Sequence, residues 1–70
     1  MNTKRERFKR LAEQRTNAVL HKLKVLGNCS NRSAYEYGEE EIAKIFSTVE
    51  HMIRETKAKF HFPSQRKFKL

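Results

Sequence analysis

Apolar residues recur at helical spacing over the first part of the chain and predict an α-helix over about residues 3–26. The positions that share one face are Phe8, Leu11, Ala12, Val19, Leu23 and Leu26. Arg15 and Lys22 interrupt this stripe. Gly27 and Asn28 follow the last apolar position, where a left-handed residue often ends a helix, so the sequence predicts such a C-cap there.

A second, more regular stripe predicts a helix over about residues 39–60. Its members are Ile42, Ile45, Phe46, Val49, Met52, Ile53, Thr56 and Phe60. Three glutamates open this segment and Lys57 and Lys59 close it, which is the charge order that a helix dipole favours. Gly38 is the predicted N-cap.

The segment between the two helices is rich in Asn, Ser and Gly, which favour local side-chain to backbone hydrogen bonds over a continued helix. This loop is long for a connection between neighbouring helices, and long ordered loops often carry function. Its candidate contact residues are Asn28, Asn31, Tyr35 and Tyr37. A structural alternative stays open, in which the two tyrosines fold back and cover the end of the helix pair.

Two amphipathic helices and a polar loop predict an all-α fold, an antiparallel two-helix hairpin formed by residues 1–60. Residues 61–70 form a basic, aromatic tail without helical periodicity, expected to be mostly extended, since Pro63 biases the preceding residue away from helix. A hairpin of this size covers only part of each stripe. We therefore expect completion by a second copy, as a four-helix dimer, or by docking onto a partner.

Charge is placed unevenly along the 70-residue chain, whose formal net charge is +8. Residues 1–26 carry eight Lys or Arg against two Glu, residues 38–56 carry five Glu against two basic residues, and residues 57–70 carry five basic residues and no acid. A basic first helix and a basic tail predict a partner with a phosphate backbone or an acidic surface.

The candidate binding residues are the cations of the first helix, loop and tail, together with two tail aromatics suited to stacking on unpaired bases. They are Lys4, Arg5, Arg7, Lys9, Arg10, Arg15, Lys22, Lys24, Arg32, Arg66, Lys67, Lys69, Phe62 and Phe68. The alternatives are a solubilising surface for the helix, and disorder or packing on the protein itself for the tail.

No catalytic residue, metal site or cofactor motif is predicted, so the protein is not expected to be an enzyme. Three histidines and the single Cys29 lack metal-ligand spacing, and no glycine-rich phosphate loop is present. One thiol and a charged N-terminal segment without an apolar stretch lead us to expect a cytoplasmic protein. The modest apolar arc and the absence of Trp disfavour a membrane-surface helix, and no membrane partner is expected.

Part of the chain, roughly residues 5–60, resembles small basic proteins carried by bacterial mobile elements. The matching segments are Arg15-Thr16-Asn17, Leu26-Gly27-Asn28, Ser30-Asn31-Arg32-Ser33, Tyr35-Glu36-Tyr37 and Glu40-Glu41-Ile42-Ala43-Lys44-Ile45-Phe46. The resemblance implies a bacterial, phage or plasmid origin and an accessory or regulatory role, and it implies no particular activity. It also implies that the loop contributes to function.

Two functions follow as expectations. The first is a small non-enzymatic protein that binds nucleic acid or a nucleoprotein machine through the first helix and the tail. The second is a protein-binding adaptor or inhibitor that acts on a nucleic-acid-processing enzyme or a ribosome, with the basic surface facing an acidic one.

Overall fold

Two α-helices carry most of the described chain. The computed structural model describes residues 3–62, and within them α1 spans Thr3–Gly27 and α2 spans Glu39–Ala58, with a short 3-10 helix at Asn28–Ser30. No strand occurs between residues 3 and 62. The predicted all-α class is therefore confirmed. The chain divides between Glu36 and Tyr37 into two units, the first holding α1 and the 3-10 helix and the second holding α2.

The end of α1 differs from the prediction. Gly27 has φ −60° and ψ −24°, which are right-handed helical values, and no described residue has a positive φ. The predicted left-handed C-cap at Gly27 and Asn28 is wrong, because the backbone continues from α1 directly into the 3-10 helix and makes no reversal there. The chain leaves helical geometry only at Asn31, with φ −70° and ψ 102°.

The start of α2 matches the prediction, with Gly38 as N-cap in an extended conformation. The Gly38 carbonyl accepts the first intrahelical bond from the Ile42 N–H at 3.2 Å. The Glu41 carboxylate reaches back and accepts the Gly38 N–H at 2.9 Å. This is the glutamate half of a capping box, and it satisfies a donor that the helix itself leaves unpaired.

The end of α2 lies at Ala58, two residues before the predicted end. The N–H groups of Lys59 and Phe60 donate to the carbonyls of Thr56 and Lys57, three residues back, at 3.1 and 3.0 Å. Such bonds tighten the last turn and close the helix. Residues 61 and 62 have no regular structure, as predicted for the tail, and Phe60, predicted as the last residue of the helix, has none either. Residues 63–70 of the predicted tail lie outside the described residues.

Neither unit has a buried core. No side chain between residues 3 and 62 is fully buried, and the stripe residues of both helices range from half-buried to exposed. On α1 the half-buried positions are Leu11, Ala12, Leu23 and Leu26, and on α2 they are Ile42 and Val49. Helical stability in proteins comes mostly from covering such a face, so both stripes are surfaces for further packing.

Candidate nucleic-acid interface

All eight cations of α1 are exposed to solvent. Helical geometry sorts them, because each residue turns the chain by about 100° around the axis. Four of them fall within an arc of about 80° on one side of the helix. They are Lys4, Arg7, Arg15 and Lys22, which we call the cation row. Its first and last members, Lys4 and Lys22, are 18 positions apart, so the row is about 27 Å long.

The other four α1 cations do not form a row. Arg5, Lys9, Arg10 and Lys24 spread over the remaining circumference. The five cations within residues 4–10 therefore surround the helix instead of forming one face. Both acids of α1, Glu6 and Glu13, lie among the other four cations, roughly opposite the row. The row is therefore the acid-free side of α1, while the opposite side mixes both signs.

The cation row overlaps one side of the α1 apolar stripe, where Arg15 and Lys22 interrupt it. Leu11 lies within the row, and Phe8 lies nearer the centre of the stripe with 51% of its surface exposed. The Arg5 guanidinium, on the far edge of the stripe, lies 6.0 Å from the centroid of the Phe8 ring, within range of a cation–π interaction. Cations thus lie on both sides of the stripe centre. Only the cations of the row are distributed along most of the helix.

Asn31 organises the loop. Its carbonyl accepts the N–H groups of Ala34 and Tyr35 at 3.1 and 2.9 Å, and its side-chain oxygen accepts the Ser33 N–H at 3.0 Å. This local pairing is what Asn favours in turns, so the loop-contact residue Asn31 has a structural task. Among the other predicted loop residues, Asn28 lies in the 3-10 helix and is exposed, as is Arg32.

The two loop tyrosines differ in exposure. Tyr35 is 54% exposed, and Tyr37 is half-buried. Tyr35 therefore presents an aromatic surface to solvent, as a contact residue needs to.

Of the candidate binding residues in the tail, only Phe62 lies within the described part of the chain. It is 92% exposed, so its ring has the accessibility that base stacking requires. Phe68, Arg66, Lys67 and Lys69 lie outside the described residues.

The α2 stripe is a second exposed surface. Its members Ile45, Phe46, Met52 and Ile53 are 38%, 43%, 60% and 51% exposed. On the polar side of α2, the Ser47 and Thr48 hydroxyls donate to the Lys44 carbonyl, and His51 pairs with Glu55 one turn later. Helical spacing places these polar side chains at least about 100° from the centre of the stripe. The sequence predicted the spacing of the stripe and its incomplete cover, and the structure gives the exposed fraction of each side chain.

Within residues 3–62, no group of three or more His, Cys, Asp or Glu side chains is placed to hold a metal ion. Cys29 is exposed and unpaired. Within the same residues, neither helix combines the length and apolar character that a membrane span requires. Comparison with protein-family models, with curated proteins and with solved structures gives no match to this chain.

Proposed function

We propose that this protein binds nucleic acid, or a nucleoprotein machine, by contacting the phosphate backbone with the cation row of α1. It acts without catalysis, as an accessory protein of the bacterial cytoplasm. The observation that carries this proposal is the sorting of charge around α1: four exposed cations share one side, and both acids of the helix lie opposite.

Phosphate binding follows from the electrostatics of such a row. Lys and Arg side chains neutralise backbone phosphates and release condensed counterions, which supplies sequence-independent affinity. Acids on the same side would oppose this, and the row has none. Its length of about 27 Å approaches the roughly 34 Å of one duplex turn, so its cations are spaced to meet several phosphates of one site.

The tail extends the proposed site to unpaired bases. Phe62 is almost fully exposed and lies four residues after Ala58, the last residue of α2. Aromatic rings among cations provide stacking surfaces beside backbone contacts. In this proposal Phe62 and Phe68 stack on bases, while Arg66, Lys67 and Lys69 contact phosphates.

A hairpin is the arrangement that we propose for the two helices, with α1 packed antiparallel on α2. The α1 stripe and the cation row overlap, with their centres about 60–70° apart around the axis. Packing centred on the side of the stripe away from the row, near Ala12, Val19 and Leu23, therefore lets the long row side chains reach solvent at the edge of the helix pair. Thus one helix both contributes to a core and binds a ligand.

The test compares two variants of α1 that have equal net charge. In the row variant, glutamine replaces the four row cations: Lys4→Gln, Arg7→Gln, Arg15→Gln and Lys22→Gln. In the control variant, glutamine replaces the other four α1 cations: Arg5→Gln, Lys9→Gln, Arg10→Gln and Lys24→Gln. Gln forms helix nearly as well as Lys and Arg, so both helices should persist, which circular dichroism checks.

Affinity for duplex DNA and duplex RNA is then measured against salt concentration. Each duplex-DNA phosphate contact contributes about −0.9 to the slope of log affinity against log salt. The row variant should lose about three units of slope if most of the row binds, and the control variant about one or less. Equal losses would mean that net charge alone acts, and would contradict the proposed site.

A second candidate function is favoured by the exposed stripe of α2. A half-exposed stripe of Ile, Phe and Met side chains is typical of a surface that binds a partner protein. In this case the protein is an adaptor or inhibitor of a nucleic-acid-processing enzyme or a ribosome. Purification from cells with nuclease treatment separates the two functions. An adaptor retains its protein partner, while the purified chain alone shows no nucleic-acid affinity at about 0.15 M salt.

A further inference from the structure

The α2 stripe forms one continuous surface. Within the 20-residue helix its apolar side chains fall within an arc of about 120° and run from Ile42 to Ile53, about 17 Å along the axis. The pattern has three apolar positions per heptad, with Phe46 and Ile53 beside the two-per-heptad seam, as in helix bundles. Four of these side chains are between 38% and 60% exposed.

Charged residues border the stripe at both of its ends. Glu39 and Lys57 lie on one edge of the stripe, and Glu41 and Lys59 lie on the other. On each edge an acid lies at the N-terminal end and a base at the C-terminal end. A further acid, Glu50, lies near the middle of the first edge, about 20° farther from the stripe than Glu39. Lys59 follows the last helical residue and keeps helical backbone angles, φ −73° and ψ −20°, so it continues the edge.

We propose that this stripe pairs with the same stripe of a second copy of the chain, with the two α2 helices antiparallel. When the two-fold axis lies near Val49, each edge of one stripe lies beside the same edge of the partner's stripe. Glu39 then lies close to the level of the partner's Lys57, and Glu41 close to the level of the partner's Lys59. The same two pairs recur at the other end, because a two-fold interface is self-complementary.

A parallel pair is disfavoured by the same charges. It would set the acidic first turn of one copy against the acidic first turn of the other, and likewise the two basic ends. Such like-charge contacts at helix edges are destabilising. The inference goes beyond nucleic-acid binding and is independent of it, since it concerns α2 alone.

Covering of α2 by α1 alone predicts something different. Because α1 is strongly basic, replacing Lys57 and Lys59 with acids would strengthen that contact, whereas it weakens the antiparallel pair.

The test uses sedimentation equilibrium of the full chain without nucleic acid, and it starts from the wild-type dimer. In the double variant, Lys57→Glu with Lys59→Glu, glutamates of one copy lie beside glutamates of the other copy at both ends of the pair. Its dimer dissociation constant should rise at least about tenfold, since four exposed ion pairs become like-charge contacts.

Adding Glu39→Lys and Glu41→Lys to the double variant exchanges the charges at the two ends of α2 and should restore the dimer. Those two changes also remove the Glu41 bond to Gly38, so recovery of association cannot come from a more stable helix.

A matched control variant makes the same change of net charge on the other side of α2. Lys44→Glu with Arg54→Glu alters two residues that lie about 140° from the centre of the stripe, and it should leave the dissociation constant within about threefold of wild type. Helix content of every variant is followed by circular dichroism. A wild-type chain that stays monomeric to ~1 mM would overturn the inference. So would a double variant that associates as strongly as wild type, or a four-residue exchange that fails to restore association.

Discussion

The same substitution, glycine to alanine, should have opposite effects at the two glycines of this chain. Gly27 has right-handed helical angles, and a Cβ built there meets nothing within 4 Å. Alanine fits this backbone and restricts the unfolded chain more than glycine does. Gly27→Ala should therefore stabilise α1 by about 0.5–1 kcal/mol. A left-handed cap would predict the reverse, since alanine in that conformation costs about 1–2 kcal/mol.

Gly38 is the matched case, because it caps α2 with φ −109° and ψ 163° and is not itself helical. A Cβ there would lie 3.6 Å from Oε1 of Glu41, an ordinary contact, so Gly38→Ala introduces no clash. Alanine is nevertheless a much poorer N-cap than glycine, and the loss should be about 0.5–1 kcal/mol.

Thermal unfolding followed by the helical dichroism signal measures both variants. At roughly 4–8 °C per kcal/mol for a chain of this size, the midpoints should shift about 2–8 °C, upward for Gly27→Ala and downward for Gly38→Ala. A lower midpoint for Gly27→Ala would show that α1 ends in a left-handed turn, and would refute the continuous path from α1 into the 3-10 helix.

Two further predictions concern the loop and the start of the tail. Asn31→Ala removes the side-chain acceptor of the Ser33 N–H, so hydrogen exchange of that amide should speed up, while Asn31→Asp keeps the acceptor and most of the protection. Exchange that is unchanged in Asn31→Ala would contradict the structural task of this side chain. Phe62→Ala should weaken binding of single-stranded nucleic acid by about 5- to 150-fold, the loss of one stacked base, and duplex binding far less. Equal losses for both ligands would exclude stacking by this ring.

The second helix was predictable because its signals agree. An uninterrupted stripe, an acidic first turn, a basic end and a glycine cap all indicate the same element, and the structure starts it at Glu39 as predicted. Its end was placed two residues too late, since the apolar Phe60 continues the period while the backbone has already tightened at Lys59. The periodicity of apolar residues predicts which residues share a face of the helix. It does not predict the backbone hydrogen bonds that end the last turn.

The turn after α1 was not predictable from the same kind of evidence. Glycine after the last apolar residue suits a left-handed cap, but it also tolerates a continued helix, and nothing in residues 28–30 distinguishes the two. The candidate site was predicted as a set of cations without its geometry. The separation of the cation row from the other α1 cations follows from helical spacing, once the helix is known to run unbroken from Thr3 to Gly27.

The central claim, that the cation row binds phosphate, is tested most directly by nuclear magnetic resonance of the Lys and Arg side chains. The full chain is titrated with a short duplex and with a single strand at about 0.15 M salt. We predict that the side-chain signals of Lys4, Arg7, Arg15 and Lys22 shift together, while those of Lys9, Arg10 and Lys24 change little. Signals that remain unchanged at saturating ligand, or that shift equally on all sides of α1, would contradict the proposed interface.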